Sequence, residues 1–510
     1  MLGKIKLHQI ISQPSDCIYF LAQRQLFIRT LETHYHFLIP LLEYIKSHQH
    51  NVISLWDTNH NKLMDKTCDN IYFKQTYLLF INSNIKLMGL YTIYCVIFSP
   101  VLTLLSPLLG LIIPFIIARV VYQIPIQFNQ YYQIMKLSMN GFDSYLPRSP
   151  LVTLFKYGGY LFWMFGYGQS LYNCYEISKN VINDCKDIIS QLISTKNFFT
   201  HLLSILLLVF PNHHQQIEIC KQINHQLNFD INENKFVNYG EALVIFKYLV
   251  DNKKEMIPLL EMLSEIDAYL SIICLKNKYD FSYSKYIRNS TPIIDAKNIY
   301  HPSLLNNNKT IIKNSIKIGT LHEPKNIIIT GVNAGGKSTF IKSLSVCVLL
   351  SQTFTISPSS HFSLTPFSII NTYLNIPDVK GKESLFQAEL TRSINHIQQV
   401  YSLSRNKHSF IIMDEIFSST NPEEAITGAT GIANILGKHN NSITIITTHF
   451  KKLTQISNNG MYRNYHFPVD KRNPITFSYK LKPGVSKDNI AIQLIRTYIN
   501  KIISTNNNGT

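Results

Sequence analysis

Charge is scarce in this 510-residue chain: only 15% of residues are Asp, Glu, Lys or Arg, where about a quarter is usual in soluble domains. That shortage excludes a solvated polyelectrolyte and points to a lipid-facing part. Acidic residues are the scarcer kind, 31 against 48 basic ones, which leaves a net charge of +17. Such a surplus suits nucleic acid or an anionic membrane surface, although Asn, Ile and Lys are abundant throughout and charge alone decides little. There is no Cys-x-x-Cys pair, and no His/Cys group has zinc-ligand spacing, which excludes the common zinc modules. The eight scattered cysteines predict free thiols in a reducing, intracellular compartment. The opening MLGKIKLHQI has no apolar stretch beside it, so no secretory signal is expected.

Charge is most completely missing from Leu87 to Ala118, a run bracketed by Lys86 and Arg119. A helical span needs about 20 apolar residues. This run exceeds one span and falls short of two with a loop. Pro100, Pro107 and Pro114 interrupt it, each removing a helix hydrogen bond. One tilted or kinked span, a re-entrant hairpin and a buried helical pair all fit, and length with lack of charge favours membrane contact. Leu151–Tyr172 and His201–Pro211 read as core or interfacial helices.

Length suggests about three domains. Residues 1–85 have helical apolar spacing, and 86–126 form the apolar segment. Residues 127–285 read as a helical core or lever domain, with a polar boundary at Phe229–Lys235. Its end, Glu241–Leu275, carries Met256, Leu259, Leu263, Ile266, Leu270 and Ile273 at the spacing of one long amphipathic helix. Residues 286–500 read as an α/β domain, and 501–510 as a disordered tail. His34, His36, His48 and His50 have no acidic or thiol neighbour and are expected to be surface or packing residues.

What is present, and specific, is Gly331-x-x-x-x-Gly336-Lys337-Ser338. The β-branched Asn326–Thr330 precedes it as a buried strand, and Phe340–Leu350 follows with helical length. Strand, glycine turn and helix form the context of a phosphate-binding loop. The backbone of Gly331, Val332, Asn333, Ala334, Gly335, Gly336, Lys337, Ser338 and Thr339 would curl around a phosphate at the helix's positive end. Lys337 would reach the β/γ-phosphates, and the Ser338 hydroxyl would ligate Mg²⁺. Downstream, the apolar Ser409–Met413 delivers Asp414 and Glu415 at a strand end. Asp414 would hold the Mg²⁺ shell, and Glu415 would polarise the attacking water. A further β-branched strand, Ile443–Thr448, ends at His449, placed to sense the γ-phosphate.

Thr330–Thr339, Met413–Ile416 with Thr420, and Thr448–Phe450 together resemble the ATPase domain of the MutS family of DNA mismatch-repair proteins. The family pattern TGPNxGGKST stands here as TGVNAGGKST, with Asn333 matched and Val332 in place of proline. The family's S-T-F-x-x-E segment is met at Ser384, Phe386 and Glu389, and its upstream His-Pro at His301-Pro302. The similarity also reaches back over Leu259–Cys274. The resemblance implies an ABC-type α/β ATPase, a mixed sheet flanked by helices, preceded by a mostly helical half with long lever-like helices. It implies ATP and Mg²⁺, and a homodimer with composite sites in which Ser384 reaches the γ-phosphate across the dimer. It implies DNA as partner. Catalytic roles fall to Glu415, Lys337, His449 and Ser384.

The sequence also departs from that pattern. The family's glycine-rich stretch after Asp-Glu-Ile is here Phe417–Pro422. The adenine-stacking aromatic aligns with Ile311, with Tyr300 as a substitute. No Phe-x-Glu wedge, the family's mispair reader, occurs in the chain. Two readings follow: a DNA-clamping ATPase that is membrane-associated, and a membrane-anchored ATPase acting on a protein or lipid-bound partner without mismatch recognition. An ABC transporter is disfavoured, because Ser384–Glu389 is not an LSGGQ-type signature.

Overall fold

The computed structural model describes residues 2–56, 71–145, 150–228, 237–306, 311–320, 323–373, 385–404, 406–418, 420–470 and 476–486. Ser384, the Phe229–Lys235 boundary and the 501–510 tail lie outside the described residues. The chain divides into two compact units: residues 1–35 with 262–510, and residues 36–261. These divisions fall at other positions than the sequence boundaries at 85, 126 and 285.

The first unit is built on strands that are apolar on both faces. β1 (Asn326–Thr330), β2 (Ile369–Tyr373), β3 (Ser409–Asp414), β4 (Ser442–Thr448), β5 (Tyr462–His466) and β6 (Lys482–Pro483) form one sheet in the order β6-β5-β1-β4-β3-β2. All pairs are parallel except β5–β6. Every residue of β1 and β4 is buried, as expected of parallel strands covered by helices on both sides.

Alternation along the strands sorts their side chains into two layers. Ile327, Ile329, Phe410 and Ile412 pack with Phe340, Leu344 and Val348 of helix α1 (Lys337–Thr353). Ile328, Ile411, Met413 and Ile446 face the other way. They meet Val400 of helix α2 (Leu385–Tyr401) and Ala429, Ala433 and Leu436 of helix α3 (Pro422–Lys438). The start of α3 is fixed locally. The Asn421 side chain accepts from the Glu423 amide at 3.2 Å, Pro422 occupies the first turn, and Glu423 and Glu424 complement the helix dipole. A second, four-stranded sheet joins Lys285–Tyr286, His361–Leu364, Ile294–Ile299 and Asn314–Ile318.

The first 35 residues belong to this unit. The Ser15 amide donates to the Gln352 carbonyl at 3.0 Å, and the Gln352 side chain returns a bond to the Ser15 carbonyl at 2.9 Å. Arg24 donates to the Thr353 carbonyl, and Gln25 to that of Ser284 at 2.8 Å. Glu32 takes Lys276 at 2.9 Å and the Tyr283 hydroxyl at 2.7 Å.

The second unit is helical. The apolar run forms one unbroken helix, Ile85–Val121, of 37 residues. It is therefore neither a hairpin in itself nor a buried pair. Two π-helical stretches, Tyr94–Phe98 and Ile117–Val121, flank its proline-bearing part, and such wide turns accommodate missing ladder bonds. The second apolar stretch, and the third as far as Val209, are parts of one 60-residue helix, Pro150–Val209. Its C-terminal part is core, with Leu202, Ile205 and Leu206 fully buried. Gly240 of helix Val237–Asp251 crosses Ile85–Ile93 so closely that a Cβ there would lie 2.4 Å from the Gly89 nitrogen.

The expected single helix over Glu241–Leu275 is two. Val237–Asp251 ends, a 3₁₀ turn spans Lys253–Met256, and Ile257–Tyr279 follows. Pro258, which has no N–H, suits only the first turn of a new helix.

Candidate active site

The register of the central strands brings the candidate residues together. Thr448 of β4 lies beside Thr330 of β1, and Thr447 beside Asp414 of β3. Three strands therefore stop at one level, at the edge where open α/β sheets present their ligands.

From Thr330 the chain turns straight into Gly331–Gly336, and α1 begins at Lys337. Thr330 is anchored on both sides: its hydroxyl donates to the Tyr465 carbonyl at 3.3 Å and accepts from the Ser486 amide at 2.9 Å. Gly336 has φ 108°, and an added Cβ would sit 3.3 Å from the Tyr479 ring. Glycine is needed there for both conformation and space. Ala334 adopts φ 62° despite its side chain, a strain of about 1–2 kcal/mol.

Lys337 is only 4% exposed, and a buried ammonium requires partners. It has four. Its Nζ donates to the carbonyls of Gly331 at 3.0 Å and Val332 at 3.3 Å. It lies 3.3 Å from Glu415 Oε1 and 3.3 Å from His449 Nε2. His449 Nε2 and Glu415 Oε1 are themselves 2.7 Å apart. The bond from His449 holds the Glu415 carboxyl below its ordinary value. Burial opposes this, and the charges of His449 and Lys337 add to it. The pair expected to flank the γ-phosphate and the lysine expected to grip it thus form one cluster.

Glu415 itself has φ 53°. Its amide is held by both the carbonyl and the hydroxyl of Thr447, each at 3.1 Å. The Thr447 hydroxyl donates in turn to Asp414 Oδ1. One threonine on β4 therefore orients both acids at the end of β3. Sequence reading passed over it, because Thr447 looked like one more β-branched strand residue. Ser338 is half-buried as the second residue of α1, and Asp414 is the last of β3. A serine hydroxyl and a carboxylate form a hard-oxygen set suited to Mg²⁺. Asn333 and Thr339 are exposed along the loop and first turn.

Beside the loop lies a cavity of about 300 Å³, lined by Tyr300, His301, Ile311, Gly336, Thr339 and Tyr479 among others. Both candidates for the stacking residue, Ile311 and Tyr300, line it. Tyr300 is nearly buried, its hydroxyl donating to the Tyr279 carbonyl at 2.7 Å. Tyr479 is 43% exposed and rests beside Gly336. Asn314 secures that segment, donating to the Tyr479 carbonyl at 3.0 Å and accepting from the Leu481 amide at 2.9 Å. Nothing local in the sequence marks Tyr479, which arrives from a distant strand connection. The Ser303 amide donates to Nδ1 of His301 at 3.2 Å, which leaves Nε2 as the donor of the neutral ring. Burial, and secondarily Lys342, push the His301 pKa down. Of the signature segment, the Phe386 ring lies 5.3 Å from that of Phe417, and Glu389 is buried.

Comparison with known proteins agrees with this assembly. Residues 327–506 match the family model described as MutS domain V. Endonuclease MutS2 of Staphylococcus aureus is 30% identical over 215 residues, covering 40% of this chain and 28% of that relative. The relative of the same name from Staphylococcus aureus strain JH9 is 29% identical over 215 residues, covering 26% of its length. The chain thus spans under a third of the curated relatives it matches. From the glycine loop to the strands that carry Asp414, Glu415 and His449, the C-terminal region of this chain is similar to domain V of the MutS family.

Proposed function

We propose that the chain is a MutS-like ATPase that hydrolyses ATP to ADP and phosphate in a homodimer with composite sites. The observation that carries this reading is the Lys337–Glu415–His449 cluster at the mouth of the glycine loop, tied to Asp414 through Thr447. The loop amides and Lys337 bind the triphosphate, and the cavity at Tyr300, Ile311 and Tyr479 has room for the base. Ser338 and Asp414 would hold Mg²⁺, whose chemistry is to neutralise phosphate charge. Glu415 orients and deprotonates the attacking water, and His449 senses the terminal phosphate. Ser384 completes the opposite subunit's site. The work is positioning plus electrostatics, as in phosphoryl transfer generally. Steady-state hydrolysis by wild type against Lys337→Ala tests it: turnover equal in both would end the proposal.

The cycle clamps and releases duplex DNA in this reading, with the net charge of +17 in support, while the absent Phe-x-Glu wedge argues against mispair reading. The chain associates with membrane through Leu87–Ala118, a helix whose most apolar window is 0% buried. That same exposure favours a second reading, an ATPase anchored in membrane that acts on a protein or lipid-bound partner. Duplex binding measured against salt separates them, since a DNA clamp loses affinity steeply as salt rises.

A further inference from the structure

The long helix Pro150–Val209 runs back along Ile85–Val121. The Ser178 hydroxyl donates to the Val96 carbonyl at 3.1 Å, Thr103 Oγ1 lies 3.2 Å from Cys174 Sγ, and the Tyr167 hydroxyl donates to the Leu104 carbonyl at 2.8 Å. Rising numbers on one arm meet falling numbers on the other, so the two are antiparallel. Ser178, Thr103, Cys174 and Tyr167 meet across this seam, while Ser106 and the Gln169–Asn173 pair bond within their own arm, so these polar groups are satisfied inside the arms as hydrocarbon demands.

No described residue from Ile93 to Ile177 is buried, and most of the exposed large apolar side chains among the described residues lie in that stretch. The exposure is not one stripe. Leu161, Phe162, Trp163, Met164 and Phe165 are successive and each 58% to 78% exposed. Five successive helical residues point in every direction, whereas a protein partner covers one face. Leu87–Ala118 and Tyr157–Tyr175 contain no charged residue. From Val96 to Val121 the first arm rises about 38 Å, enough for a hydrocarbon core of about 30 Å with some tilt.

We propose that these two arms form a two-span transmembrane hairpin, with the return span centred on the uncharged Tyr157–Tyr175 of Pro150–Val209. The hairpin tip, including helix Phe128–Tyr145, lies across the bilayer from the rest of the chain. The inference rests on the membrane association proposed above, and adds the second span and the topology. The occupant of the exposed surface is lipid, not a second copy of the chain.

The test uses full-length chain in sealed native membrane vesicles. Carbonate extraction comes first. A membrane-impermeant maleimide is then applied before and after permeabilisation, and labelled peptides are identified by mass. Gln130→Cys places a thiol at the exposed tip, and native Cys17 is exposed in the other unit. Expected are carbonate resistance and labelling of the two thiols from opposite sides. Resistance with both labelled from the same side overturns the hairpin and leaves membrane association standing. Release by carbonate overturns both. The seam is read separately through Thr103→Cys, which should form a disulfide with Cys174 within one chain on mild oxidation. A disulfide-linked dimer in its place assigns the surface to a second copy and overturns the inference.

Discussion

Glu415→Gln separates binding from chemistry in opposite directions. In the structure, Glu415 occupies Lys337 and His449, the two groups that the proposed function turns to a terminal phosphate. On the proposed function, ATP would therefore compete with an internal carboxylate. At 3.3 Å the pair's Coulomb attraction is about 5 kcal/mol at an effective dielectric near 20. Glu415 is 32% exposed at its side chain, so solvation and screening reduce the net figure to about 1 kcal/mol. Neutralising it also removes repulsion from the triphosphate. ATP affinity of the variant should rise about fivefold. Turnover should fall, because an amide cannot take the water's proton: loss of a positioned base costs about 10²–10⁴ in rate, roughly 3–5 kcal/mol of barrier. Fluorescent-nucleotide titration gives the affinity and phosphate release gives kcat. Unchanged kcat would remove the assigned base. Weaker ATP binding would refute the competition argument even if kcat fell.

Thr447→Val keeps the β-branched shape but releases Asp414 and removes one of the two bonds on the Glu415 amide, the carbonyl bond remaining; kcat should drop at least about tenfold with little change in ATP affinity, measured in the same pair of assays. Gly336→Ala meets φ 108° and the Tyr479 ring, so it should cost about 1–3 kcal/mol, visible as a lower melting temperature and lost nucleotide binding. Ser384→Ala should silence only the partner's site; in mixed dimers with Lys337→Ala chains, retained full turnover per intact site would rule out the composite arrangement. Glu415 has a lowered folded pKa, so its contribution to stability is full above the ordinary carboxyl value of 4.5 and is lost as pH falls through the folded value. Acid titration of wild type should therefore show a larger loss of stability below about pH 4.5 than Glu415→Gln, which keeps only the shares of the other lowered carboxylates, Asp16 and Glu32 among them.

The nucleotide end of the chain was legible because its signals are local. A phosphate loop needs glycines at fixed offsets, and fully buried parallel strands need β-branched runs, so Asn326–Ser338, Ser409–Glu415 and Ile443–His449 announce themselves. Thr447 and Tyr479 do not. Their roles depend on strand register and on a chain return from far away, which no window of sequence contains. The helices were legible in kind but not in length. Apolar spacing continues through Asn252–Pro258, where a backbone break intervenes, and polar residues after Tyr172 masked the continuity of Pro150–Val209. The pairing of the two apolar helices was not legible either: aromatic and glycine content dilutes the hydropathy signal of Tyr157–Tyr175, and only the contacts of Tyr167 with Leu104 and of Cys174 with Thr103 show that the helices run side by side.

The placement of the first 35 residues has a practical consequence for anyone cutting this chain into pieces. A fragment beginning at Met262 would strip the carbonyls of Ser284, Gln352 and Thr353 of their distant donors. It would also leave Lys276 without its carboxylate. Expression of the catalytic half alone should yield insoluble material, whereas co-supplying Leu2–Tyr35 as a separate peptide, or splicing it ahead of Met262 through a flexible tether, should restore a soluble product.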